Sequence, residues 1–154
     1  MFTGIVQGVA EVASITDRPG LRSFRLRFPP GFAQDLAIGA SVACDGVCLT
    51  VTTLHGPDEA DFDVMQQSLG LTTLGSLAEG DRINVERAAK DGAEIGGHPL
   101  SGHVDFTATL ASNSEFEIVR YLRPGDRLRR GAARLVAVRA AGFLPISTVA
   151  EPLM

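Results

Sequence analysis

Few side chains in this sequence could act as nucleophile or general acid–base, and their spacing restricts the chemistry. Two cysteines, Cys44 and Cys48, and three histidines, His55, His98 and His103, are the only thiols and imidazoles in 154 residues. A thiol attacks as its thiolate, so its surroundings decide whether it reacts. An imidazole exchanges protons near neutral pH. Cys44 and Cys48 are not spaced as C-x-x-C, and no second Cys/His pair completes a zinc site. Two thiols make no disulfide framework either. No metal centre is expected, and Cys44 reads as a small buried hydrophobe.

The elements that must position these groups are strands. Leu21 to Phe28 puts Phe24, Leu26 and Phe28 on one side and Arg25 and Arg27 on the other, the period-two pattern of a half-buried strand. Val47, Leu49 and Val51 alternate in the same way with Cys48, Thr50 and Thr52. Asp45-Gly46 before them favours a tight turn, because both residues tolerate positive φ. Further strands are expected over Ile5–Ile15, Ala60–Met65 and Arg82–Arg87, one helical turn over Phe32–Leu36, and a short helix within Leu69–Leu77. Pro29-Pro30-Gly31 stops the second strand. Short strands at this spacing without a long helical pattern indicate an antiparallel barrel or sandwich.

Composition sets further bounds. With 45% hydrophobic and 21% charged residues the chain is ordinarily globular. No apolar run approaches a membrane span, and Met1–Val6 has no basic leader, so a cytoplasmic protein is expected. The net charge of -4 is uneven: residues 1–110 carry seven basic and fourteen acidic side chains, residues 111–154 seven and four. The seven later cations are Arg120, Arg123, Arg127, Arg129, Arg130, Arg134 and Arg139. They are spread among apolar residues, which suits a solvated face or an acidic partner surface better than nucleic acid.

The sequence also echoes itself. Thr3-Gly4-Ile5-Val6-Gln7 and Ala10–Ser14 align with Ser101-Gly102-His103-Val104-Asp105 and Ala108–Ser112 at an offset of 98 residues. A fixed offset signals a duplicated unit. The second unit is short and has no counterpart of Asp45–Val51. Strand-like stretches at Glu117–Leu122, Leu135–Val138 and Phe143–Val149, with a turn at Pro124-Gly125-Asp126, could pair as two or three strands. The expected division is 1–97 and 98–154.

Four segments, in this order and spacing, resemble riboflavin synthase: Met1–Val6; Asp45-Gly46-Val47-Cys48-Leu49-Thr50-Val51; Leu74–Leu77 with Gly80-Asp81 and Val85-Glu86-Arg87; and Gly96-Gly97-His98-Pro99-Leu100-Ser101-Gly102-His103-Val104. The resemblance covers residues 1 to about 105. It implies an all-β fold, a six-stranded antiparallel Greek-key barrel followed by an incomplete second barrel. In that family each barrel holds one 6,7-dimethyl-8-ribityllumazine, two of which meet face to face between barrels. One gives a four-carbon unit to the other, yielding riboflavin and a diaminopyrimidine carrying the ribityl chain, with no cofactor. Stacking and orienting two reactants supplies much of the catalysis.

Carried over residue by residue, Gly4, Ile5 and Val6 would line the pocket with main-chain groups. Cys48, Leu49 and Thr50 would form a second wall. Asp63, Val64, Met65, Gln66, Gln67 and Ser68 would hold the ring edge and the ribityl hydroxyls. Ser68 stands where the family commonly has threonine, and Gln66-Gln67 where a charged pair is more usual. Gly102, His103 and Val104 match the start of the family's second barrel and would belong to the other pocket. Ser41, Cys48 and His103 are the candidate catalytic residues. His98 is expected in a linker and His55 in a loop.

The resemblance implies a homo-oligomer: a dimer pairing two N-terminal barrels, or the trimer of the family. Three readings of the shortened second half stay open. The chain is a compact riboflavin synthase, a lumazine- or flavin-binding protein without catalysis, or a barrel carrying an unrelated tail. An interaction module with an empty barrel fits the retained pocket segments less well.

Overall fold

The structure, a computed structural model, describes residues 1–90, 92–94, 96, 99–111, 129–138 and 146–149, with side chains as far as Asp105. Alternation builds its first sheet. In β2 (Leu21–Arg27) Phe24 and Leu26 turn inward, in β4 (Val47–His55) Val47, Leu49 and Val51, and in β5 (Glu59–Met65) Ala60, Phe62 and Val64. With β1 (Gly8–Arg18), β3 (Ser41–Cys44) and β6 (Arg82–Arg87) these strands close into a barrel in the order β1-β2-β5-β4-β3-β6, every pair antiparallel. This is the Greek-key arrangement expected. The interior is apolar, with Phe24, Phe62, Leu26 and Val12 at most 2% exposed.

The first strand starts later than its composition suggests, at Gly8 rather than Ile5, because residues 3–7 are held out of the β1 ladder by contacts to β6. The segment Phe32–Leu36 is a string of overlapping four-residue turns, not a helical turn. Asp35 sits at φ 57°, and the Arg87 guanidinium donates to the carbonyls of Phe32, Gln34 and Asp35, which a helix would need. Between β5 and β6 lie α1 (Gln66–Leu71) and a 3-10 turn (Thr73–Ser76). They are separated by extended Thr72, whose hydroxyl donates to the Ser68 carbonyl and accepts from the Leu74 N–H.

A second antiparallel sheet contains β7 (Val104–Ala111), β8 (Arg129–Val138) and β9 (Ile146–Val149), in that order. The expected strand at Glu117–Leu122, the turn at Pro124–Asp126 and the start of Phe143–Val149 lie outside the described residues, as do His98 and the arginines at 120, 123, 127 and 139.

The β3–β4 turn carries an unusual charge. Asp45 and Gly46 both have positive φ, 46° and 80°, as a two-residue hairpin requires. Asp45 is buried; its N–H donates to the Asn84 carbonyl and its Oδ1 accepts from the Asn84 N–H, both at 2.8 Å. Burial pushes its carboxyl up to about 6, against the pull of the Asn84 bond. The fold therefore favours the neutral acid. The stability this lends is complete below the unfolded-state value of 3.8 and is lost as pH rises towards about 6. Asp45→Asn removes that ionisation, so the variant's stability relative to wild type should rise by up to about 3 kcal/mol between pH 4 and pH 7. Urea midpoints at the two pH values check this; a difference independent of pH would contradict it.

Candidate functional site

The barrel interior is filled, so chemistry must use the outer wall. On β3 and β4, Ser41 pairs with Thr50 and Ala43 with Cys48. These four alternate with Val42, Cys44, Val47, Leu49 and Val51, whose side chains turn inward, and among the four Ala43 is itself buried. A hydroxyl pair and a half-buried thiol therefore share one strip of wall. The β4–β5 register ends at Val51↔Phe62, so the next position on each strand is Thr50 and Asp63. Beyond it, Val47–Thr50 pair with β3 and Asp63–Met65 pair with β2.

Asp63 and Met65 are exposed on this wall, Gln66 and Gln67 are exposed at the start of α1, and Ser68 is half-buried. Val64 and Leu49 differ from expectation: their side chains belong to the core, leaving only their main chain for a ligand. A cleft of about 250 Å³ adjoins the wall, reaching Thr52, Thr53, Ser23, Asp61 and Asp63.

The segment after Pro99 covers part of the strip. The Cys48 N–H donates to the Gly102 carbonyl at 2.8 Å. Gly102 has φ 77°, and a Cβ there would lie 2.6 Å from the Cys48 Cβ and 3.0 Å from the Phe2 ring. Val104 packs against the barrel core. Gly102 thus rests on the first barrel, while Val104 both packs against that core and opens β7 of the second sheet. The His103 side chain is exposed, and its N–H donates to Ser101 Oγ.

The N-terminal residues form the adjoining wall. Phe2, 2% exposed, exchanges two 2.8 Å backbone bonds with Leu100. Thr3 donates its N–H and hydroxyl to Glu86 Oε1, at 2.5 and 2.7 Å, and the Gly4 N–H donates to Oε2 at 3.0 Å. The Ile5 N–H donates to Thr3 Oγ1. The N–H groups of Gly4 and Ile5, expected to face a ligand, are therefore satisfied within the protein. Under this segment lies a void of only about 20 Å³, touched by Gly4, Val6, Ala43, Glu86 and Gly102, room for about one water.

Sequence reasoning missed Phe2 and Glu86. The signal for Glu86 was a carboxylate directly after Val85 on a strand, Arg82–Arg87, whose outer face proves to be covered. His55, expected in a loop, ends β4 and lies in an ion-pair cluster, its Nε2 2.7 Å from Asp61 Oδ2. Arg25 meets both Asp61 oxygens, at 2.8 and 3.2 Å. Burial raises the Asp61 carboxyl, but the Arg25 and His55 hydrogen bonds outweigh it and hold it below the usual carboxylate range. Among the described residues no three His, Cys, Asp or Glu side chains converge as metal ligands, and no helix is long and apolar enough to cross a membrane.

Because Gly102 is both left-handed and in contact, Gly102→Ala should cost roughly 1–3 kcal/mol and open the cover over Cys48. Faster labelling of Cys48 by a thiol reagent, with the β2 and β5 amides still protected, is the expected result.

Known proteins share this architecture. The lumazine binding domain family matches residues 3–88. The riboflavin synthase of Escherichia coli (strain K12) is 50% identical over 111 residues, 72% of this chain and 52% of that protein. That of Chlamydia pneumoniae is 43% identical over 110 residues, 71% of this chain and 54% of its own. That of Mycobacterium bovis is 37% identical over 132 residues, 84% and 65% respectively. The chain spans about half the length of the first two and 65% of the third. In fold it is similar to LumP complexed with 6,7-dimethyl-8-(1'-D-ribityl) lumazine, with TM-score 0.66 and 24% identity over 94% of this chain and 71% of LumP. LumP complexed with flavin mononucleotide gives TM-score 0.62 and 25% identity over 90% and 65%. With a family match over more than half of its residues and the barrel in place, the chain belongs to the lumazine-binding domain family.

Proposed function

We propose that this chain is a riboflavin synthase that binds 6,7-dimethyl-8-ribityllumazine on the outer wall at Ser41, Cys48 and Thr50. The observation that carries the reading is the shared strip of hydroxyl and thiol groups, bordered by Asp63 and Met65 and covered at one end by Gly102. Similarity to riboflavin synthases across this region supports it. Two such walls meeting across a two-fold axis would place two ligands face to face, so that holding both reactants lowers the barrier without a cofactor. A homo-oligomer is thus part of the reading, with residues 98–154 belonging to a second unit.

In this reading the four-carbon transfer needs groups that move protons to and from the ligand. Ser41, Cys48 and His103 are the side chains proposed for it, and Thr50 with Gln66, Gln67 and Ser68 for binding. His103 is exposed, as a group serving a second ligand across an interface would be. The alternative is a binding protein without turnover. The similarity in fold to LumP complexed with 6,7-dimethyl-8-(1'-D-ribityl) lumazine favours it.

Purified protein incubated with 6,7-dimethyl-8-ribityllumazine should form riboflavin, seen by absorbance and fluorescence, in proportion to protein. A fluorescence change without riboflavin would establish the binding protein instead, and no change at all would remove both readings. Thr50→Val keeps the strand but deletes one hydroxyl. It should weaken lumazine binding roughly three- to tenfold, the worth of one hydrogen bond, as read by fluorescence titration.

A further inference from the structure

We propose that Glu86 is a positioning residue of the candidate site, holding the N-terminal segment so that Phe2 and Gly102 stand as the wall beside Cys48; as a statement about ligand binding this rests on the reading above. Glu86 lies on the outer face of β6, where a carboxylate would ordinarily meet water. It is instead 6% exposed, because residues 1–5 lie over it. A buried carboxylate is costly unless its oxygens are satisfied. Here three donors from two consecutive residues satisfy it, two from Thr3 and one from Gly4. An apolar side chain could cover the same surface at less cost. What the carboxylate adds is position: it fixes two backbone N–H groups at the residue where the chain turns, Gly4 at φ 79°.

That position is passed on through short contacts. Phe2, next to Thr3, is paired with Leu100, and its ring touches the place where a Gly102 Cβ would stand. Gly102 accepts the Cys48 N–H. Glu86 therefore reaches the thiol strand through Thr3, Phe2 and Gly102, besides its ladder pairing with Ala43 of β3. The backbone links from Thr3 to Cys48 lie outside the barrel's strand ladders, although the Phe2 side chain belongs to the apolar cluster, so the wall can loosen while the barrel stays closed.

Glu86→Gln keeps the shape but turns an NH2 group towards donors. In the unliganded protein, amide hydrogen exchange at Cys48 should speed up about tenfold or more, while Val12, whose N–H is bonded to Asp81, keeps its wild-type rate. Unchanged exchange at Cys48, or equal acceleration at Val12, would overturn the proposal. If Glu86→Gln does not fold, Thr3→Ala removes one donor and should give the same pattern more weakly. With lumazine, Glu86→Gln should bind at least fivefold more weakly, and in a Phe2→Ala background its effect should shrink, because both changes act on one wall. Additive losses would overturn it. Wild-type protein that binds no lumazine would remove the ligand reading, whereas the exchange pattern would still decide the role of Glu86.

Discussion

Closing six strands into a barrel is the constraint from which the rest follows. With an even alternation of side chains, half of every strand is committed to the core. At this size the core is solid: Phe24, Phe62, Val12 and Val64 leave no room inside for a ligand. The hydroxyls of Ser41 and Thr50 and the Cys48 thiol stand on the convex outer face, which by itself offers no concavity, while the Cys44 thiol is spent in the core. A site on such a barrel has to be built by laying other chain on the wall. Residues 1–7 and 99–104 do this, meeting in the Phe2–Leu100 bridge and in the contact of Gly102 with Cys48 and Phe2.

Two buried carboxylates serve this construction in different ways. Asp45 ties the β3–β4 turn to β6 and is favoured as the neutral acid. Glu86, two residues beyond Asp45's partner Asn84, receives three donors from the overlying segment. Both lie on or against β6, so this strand closes the barrel between β3 and β1 and also anchors what covers it.

The barrel was legible because its signals are local. Alternation in Leu21–Phe28 and Val47–Val51, and Asp-Gly between β3 and β4, each state their own conformation. The strip of Ser41, Cys48 and Thr50 followed from the resemblance together with alternation. What stayed hidden depends on contacts between distant residues. Nothing near Glu86 announces that Thr3, 83 positions away, will donate to it. The inward turn of Leu49 and Val64 was readable from period two, but the resemblance placed the whole segments in the pocket and masked it. Gly102 was assigned to the other pocket from the resemblance to the family's second barrel; its missing Cβ is explained by Cys48, which no pattern connects to it. Phe32–Leu36 failed as a helix for the same reason, since Arg87 takes its carbonyls from far along the chain.

The central claim is that ligand binds on the covered outer wall of this one barrel. Backbone amide shifts mapped during addition of 6,7-dimethyl-8-ribityllumazine test it most directly. The account predicts saturable shifts at Thr50, Asp63, Met65 and Gly102, with the inward-facing Phe24, Leu26 and Phe62 little changed. Shifts centred away from this wall, or none at saturating ligand, would contradict it.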